Sequence, residues 1–194
     1  MISIFIYKSS EKIKSFYLKF KKKIRNKIIL QQIKNKGVLG DNVTLGDNVM
    51  ISGFEKLVIG NNVHIGSGAF IRADGGLTIG NNVIISRNLV LYSNSHNYKG
   101  KLLPFDGTYI DAPVAIENNV WIGMNVTISP GTKIGEGAII GLGTRLFGEI
   151  SERAIIGSQS PKLIKYRDLL EYEELEKANK FGNNVGNPIE NEQK

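Results

Sequence analysis

His96 is one of two histidines in the 194-residue chain and stands in the stretch Ser93-Asn94-Ser95-His96-Asn97-Tyr98. An imidazole has an unperturbed pKa near ~6.5 and accepts a hydroxyl proton around neutral pH, so His96 is a candidate general base. The chain contains no Cys. That excludes disulfides, thiol nucleophiles and Cys-ligated metals, and it suits a reducing compartment. The second histidine, His64, and the single tryptophan, Trp121, lie inside regular repeats, whereas His96 opens the least regular stretch of the sequence.

The repeats are what must position these residues. Aliphatic side chains fall six apart in triplets: Leu39, Leu45, Ile51; Ile59, Ile65, Ile71; Ile79, Ile85, Leu91; Ile116, Ile122, Ile128; and Ile134, Ile140, Leu146. Gly follows the aliphatic position in eight of the fifteen units, often as Gly-Asp-Asn or Gly-Asn-Asn, which are turn-forming sequences. Three such units make one coil of a three-sided prism, with short parallel strands stacked ~4.8 Å apart around an aliphatic interior. The spacing predicts an all-β solenoid of five coils over residues 37–161. Period alone does not fix its hand, and the usual crossover rule would favour a right-handed winding.

The beat breaks in three places. Two residues are added after Ile51, two after Ile71 and nineteen after Leu91. The last addition is an inserted loop, 93–112, which leaves the prism after Leu91 and returns at Pro113. Loops carried on a rigid scaffold are usual places for function. Because side chains alternate along a strand, the neighbours of each interior residue point outward. Met50, Phe70 and Val90 then stack on the outside of the third face, an apolar stripe that suggests subunit association. On that face Arg72 and Tyr92 lie one rung apart, and on the second face Trp121 points out in line with His64 and Ile84.

The ends differ from the middle. The chain carries a formal charge of +7, but residues 1–36 hold ten Lys and one Arg against Glu11 alone, so the remainder is acidic. Basicity confined to one segment argues against nucleic acid as the partner. Ile13, Phe16/Tyr17, Phe20, Ile24 and Ile28 recur every three or four residues, which predicts an amphipathic helix with a lysine-rich opposite face. Two readings fit it: packing against the β-helix or a neighbouring subunit, and peripheral contact of 1–36 with an anionic membrane surface. No apolar run there approaches the ~20 residues of a span, and no signal-like cleavage site follows, so a cytoplasmic location, extending to the inner face of the membrane, is expected. Beyond Pro161, residues 162–180 with Leu163, Tyr166 and Leu170 suit a short helix, and 181–194 reads as a flexible tail.

The run from Ile79-Gly80-Asn81-Asn82 to His96, then the loop, then Ile116-Glu117-Asn118-Asn119-Val120-Trp121-Ile122-Gly123 and Gly135-Glu136-Gly137-Ala138, resembles the hexapeptide-repeat acetyltransferases. It is most similar to their galactoside, maltose and capsule O-acetyltransferase branch, over roughly residues 37–167. The resemblance implies a left-handed parallel β-helix, a homotrimer, and acetyl-CoA as co-substrate in a groove between adjacent subunits, with no metal required. It implies that His96 is the catalytic base acting on a sugar hydroxyl: the imidazole takes the proton as the acceptor oxygen attacks the thioester. It places Trp121 beside the cofactor, lets Gly123 and Gly141 admit the pantetheine arm, and puts Lys162 and Lys165 near the cofactor phosphates. Arg72 falls near a position where relatives often carry an acceptor-contacting asparagine. Arg72, Asp74, Tyr92 and Asn94 are accordingly expected to line the acceptor pocket, which a carboxylated or phosphorylated sugar would suit.

Other functions share parts of this pattern. An acetyltransferase with an amino-sugar, serine or xenobiotic acceptor would use the same base and co-substrate. A non-catalytic β-helix scaffold would need neither the His96 loop nor an outward Trp121. A zinc enzyme of the carbonic anhydrase type needs three histidines from two subunits, and His64 and His96 do not supply them symmetrically.

Overall fold

The computed structural model describes residues 23–158 and 166–180. Residues 37–158 wind as a parallel solenoid of about six turns, consistent with a left-handed β-helix. The first face stacks Val38–Leu39, Leu57–Ile59, Leu77–Ile79, Val114–Ile116, Lys133–Ile134 and Glu149–Ile150. The second stacks Thr44–Leu45, His64–Ile65, Ile84–Ile85, Trp121–Ile122, Ile139–Ile140 and Ile155–Ile156. The third stacks Met50–Ser52, Phe70–Arg72, Val90–Tyr92, Thr127–Ile128 and Arg145–Leu146. The periodic aliphatics fill the interior as their spacing predicts, with only Leu39 and Ile51 of the first coil part-exposed.

Five coils was too few. Glu149–Ile150 pairs with Lys133–Ile134, and Ile155–Ile156 with Ile139–Ile140, adding a partial sixth coil. It escaped the six-residue count because Ile150 follows Leu146 by four residues, leaving a shortened unit.

Asparagine makes the turns. Asn42, Asn62, Asn82 and Asn119 all have φ between 55° and 60°, the left-handed region that Asn tolerates best after Gly. Their side chains form a ladder down one corner: Asn42 Nδ2 donates to Asn62 Oδ1 at 3.0 Å, Asn62 to Asn82 at 3.1 Å, Asn82 to Asn119 at 3.1 Å, and Asn119 to Glu136 at 3.0 Å. Asn62, Asn82 and Asn119 are therefore each both donor and acceptor, and the corner holds its register from coil to coil.

All three interruptions of the six-residue beat fall on another corner, where the third face turns into the first. The first is a 3-10 turn at Phe54–Lys56. The second is the Asp74-Gly75-Gly76 turn, with Gly76 at φ 108°. The third is the inserted loop. One edge of the prism is thus built outward in three successive coils while the interior stays regular.

The open end of the first coil is covered by a helix over 23–36. Ile29 and Ile33 enter the core, Asn26 Nδ2 donates to Leu45 O at 2.8 Å, and Arg25 donates to Val49 O at 3.1 Å. Unpaired edge carbonyls are thereby satisfied and the sheet edges masked. The packing side is not the expected one: Ile24 and Ile28 are 43% and 53% exposed. The stripe from Ile13 to Phe20 lies outside the described residues.

Residues 159–194 form a separate unit. Its helix, Leu169–Lys177, is capped by Asp168, whose side chain accepts from Glu171 N at 2.9 Å. It starts later than 162 and buries none of its residues. Leu163 and the 181–194 tail lie outside the described residues.

Candidate active site

Register brings Ser52, Arg72 and Tyr92 side by side on the third face. Asp74, just around the corner, accepts from Ser52 Oγ at 2.8 Å and from Arg72 Nε at 3.2 Å, both on Oδ2. Partial burial pushes the Asp74 carboxyl up, but the Ser52 hydroxyl and the Arg72 guanidinium outweigh it and hold Asp74 below its ordinary value. The Arg72 guanidinium carbon lies 5.8 Å from the Tyr92 ring centre and 5.7 Å from that of Tyr109, within cation–π range of both.

The strand then leaves the prism under tight control. Ser93 is buried, its Oγ accepting from Gly75 N and donating to Arg72 O, each at 2.9 Å. Asn94 is buried beside it, and its Oδ1 has no hydrogen-bond partner among the described residues. Asn94–His96 pairs antiparallel with Tyr109–Asp111, and Lys56 ties the returning strand to the first-coil turn through a 2.7 Å ion pair with Asp111. The inserted loop is therefore a short hairpin rooted on the built-up corner.

His96 is exposed near the root of this hairpin. Its ring stacks on Phe105, with centroids 3.8 Å apart and planes at 17°, and meets Tyr109, opposite it in register, at 4.6 Å. Asp106 organises the tip, accepting from Lys101 N at 3.0 Å, from Thr108 N at 2.9 Å and from the Thr108 hydroxyl. A run of contacts thus leads from Asp74 through Arg72 and Tyr109 to His96. Phe105, Tyr109 and Ser52 were not singled out from the sequence. The crowding of Tyr98, Phe105 and Tyr109 into one loop was the available signal, but only the hairpin register shows which rings reach the imidazole.

The other expected residues lie elsewhere. Trp121 is 54% exposed on the second face, between Ile84 and Ile139, so within one chain it does not share a face with the His96 hairpin. Gly123 and Gly141 have a reason in the coil stack itself. A Cβ on Gly123 would come within 2.8 Å of Ile140 O, and one on Gly141 within 3.1 Å of Ile156 O. Lys162 and Lys165 lie outside the described residues. His64 stands on the second face with Nδ1 2.9 Å from the Thr44 hydroxyl.

Two repeat families match the coils: "Bacterial transferase hexapeptide (six repeats)" over residues 113–148 and "Hexapeptide repeat of succinyl-transferase" over 56–93. Among relatives, a protein of Escherichia coli K12 named for lipopolysaccharide biosynthesis O-acetyl transfer is 40% identical over 58 residues, 30% of each chain. The galactoside O-acetyltransferase of the same strain is 31% identical over 82 residues, 42% of this chain and 40% of that one. The chain spans less than half the length of these curated relatives. A hexapeptide-repeat-containing acetyltransferase from Vibrio cholerae superposes with a TM-score of 0.58 at 25% identity, covering 66% of this chain and 72% of that one. The six-residue repeat, the prism and these matches show that the chain carries hexapeptide repeats and is similar to the hexapeptide-repeat acetyltransferases.

Proposed function

We propose that the protein is an acetyl-CoA-dependent O-acetyltransferase acting on a sugar hydroxyl, of a cell-surface polysaccharide or its precursor, and that it works as a homotrimer. The observation that carries this reading is the exposed His96 imidazole, held by two aromatic rings at the edge of the polar corner formed by Ser52, Arg72, Asp74 and Tyr92. A hydroxyl bound at that corner has a base beside it.

In the proposed reaction His96 takes the acceptor hydroxyl proton as the oxygen attacks the acetyl carbonyl carbon. The carbon–sulfur bond then breaks, and the imidazolium returns its proton to the departing thiolate. The products are an acetyl ester and free CoA, and His96 ends neutral. Trp121 offers an exposed indole for the co-substrate from the second face of an adjacent subunit, and Lys162 and Lys165 are assigned to its phosphates. Around Trp121, Ile84, Met124 and Leu142 are also exposed, an apolar surface suited to a pantetheine arm.

Arg72, Asp74, Tyr92 and Asn94 are assigned to the acceptor, with the guanidinium favouring a carboxylated or phosphorylated sugar. The test is acetyl-CoA turnover over a panel of neutral, acidic and amino sugars, with serine and a xenobiotic alcohol included. His96→Ala should lose at least about a hundredfold in rate. Equal rates for the two chains would remove His96 from the mechanism.

A further inference from the structure

We infer that the N-terminal helix docks the protein on an anionic lipid surface, through a second apolar stripe that the β-helix does not use. The inference goes beyond acetyl transfer and rests on how the helix is attached.

The side facing the prism is fully accounted for: Ile29 and Ile33 are buried, and Arg25 and Asn26 hydrogen-bond to first-coil carbonyls. Ile28 lies one residue before Ile29, which turns it about 100° round the helix axis, and Ile24 lies one turn before Ile28 on the same side. They are exposed. The same stripe continues backward in the sequence through Phe20, Phe16 and Ile13, and forward it ends, since Gln31 and Gln32 follow at the next turn. The helix over 23–36 therefore carries a second apolar pair, Ile24 and Ile28, that is not spent on the core.

Charge selects the occupant. Lys23, Lys27 and Lys34 are exposed on the same helix, and none of them has an ion pair among the described residues, whereas Lys36 pairs with Glu55 at 2.9 Å. Residues 1–36 hold eleven basic side chains against Glu11. Among the described residues no helix is long and apolar enough to cross a membrane. Apolar residues on one stripe flanked by unpaired lysines match a helix lying in the interfacial plane of an anionic bilayer.

The test is co-sedimentation of the full chain with vesicles of phosphatidylcholine alone or mixed with phosphatidylglycerol, at low and high salt. Binding should favour the anionic vesicles by about tenfold or more and fall at high salt. Ile24→Gln with Ile28→Gln should lower it by about tenfold or more, and each of Lys23→Gln and Lys27→Gln by about fivefold. Binding to duplex DNA and the oligomeric mass are measured on the same variants, and acetyl transfer to a soluble acceptor is read separately. The inference is overturned by equal binding to both vesicles, by an isoleucine pair variant that binds as the parent does, or by a change in oligomeric mass in that variant, which would make the stripe a subunit contact. Binding to DNA that matches vesicle binding and ignores the isoleucines would also overturn it.

Discussion

Tyr109 stands opposite His96 in the antiparallel hairpin, its ring 4.6 Å from the imidazole and 5.7 Å from the Arg72 guanidinium carbon. One side chain thus touches both the proposed base and the proposed acceptor contact. If it positions the imidazole, Tyr109→Ala should lower kcat by between about tenfold and a hundredfold, while Tyr109→Phe, which keeps the ring, retains most of it. Steady-state kinetics with KM and kcat resolved separately checks this, and equal kcat for the two variants would show that the ring is not needed.

Arg72 shares Asp74 with Ser52, yet its guanidinium still faces the corner. Arg72→Asn should reduce kcat/KM for acidic sugars by about tenfold or more and leave neutral sugars nearly unchanged, since a charge-assisted hydrogen bond contributes about 1.5–3 kcal/mol. Unaltered discrimination between the two classes would release Arg72 from acceptor binding.

The Asp74 carboxyl is held below its ordinary value. An unfolded Asp titrates near ~3.9, so between the folded and unfolded values the unfolded chain binds more protons and stability rises with pH. The contribution is complete above that window and is lost as pH falls through the folded value. Denaturant unfolding of the parent and Asp74→Asn should therefore differ by a constant amount near neutrality, with the gap closing below about pH 4. A gap that persists in acid would mean that the carboxylate charge is not what stabilises the corner.

Gly53 sits at φ 75°, and a Cβ there would lie 2.4 Å from the Ala73 carbonyl carbon. Gly107, in the hairpin, has nothing within 4 Å of such a Cβ. Gly53→Ala should cost more than about 1 kcal/mol from backbone strain alone, with the clash against the second coil adding to it. Gly107→Ala should leave thermal unfolding almost unchanged. Similar midpoints for the two variants would contradict the close stacking of coils at that corner.

Most of the fold was legible because one signal is repeated many times: Ile59, Ile65 and Ile71 say the same thing as Ile116, Ile122 and Ile128. The shortened sixth coil was not, since Ile150 and Ile156 follow a broken unit. The stripe at Ile24 and Ile28 was legible as amphipathic, but periodicity identifies an apolar side without saying what covers it. Here Ile29 and Ile33 took the core, helped by Asn26 reaching the first-coil carbonyls. His96, Arg72 and Tyr92 stood out by type and register. Phe105 and Tyr109 depended on a hairpin whose pairing bears no relation to the six-residue beat, and that pairing could only come from the folded chain.

The built-up corner separates two kinds of inheritance in this molecule. Inside, every rung repeats its neighbour, so a residue gained or lost would shift a whole wall of the prism. At that one vertex the path between walls has already absorbed lengthenings of two, two and nineteen residues without disturbing the walls on either side. Change there is cheap for the architecture and immediate for chemistry, so relatives with different appetites should diverge first in that strip of sequence.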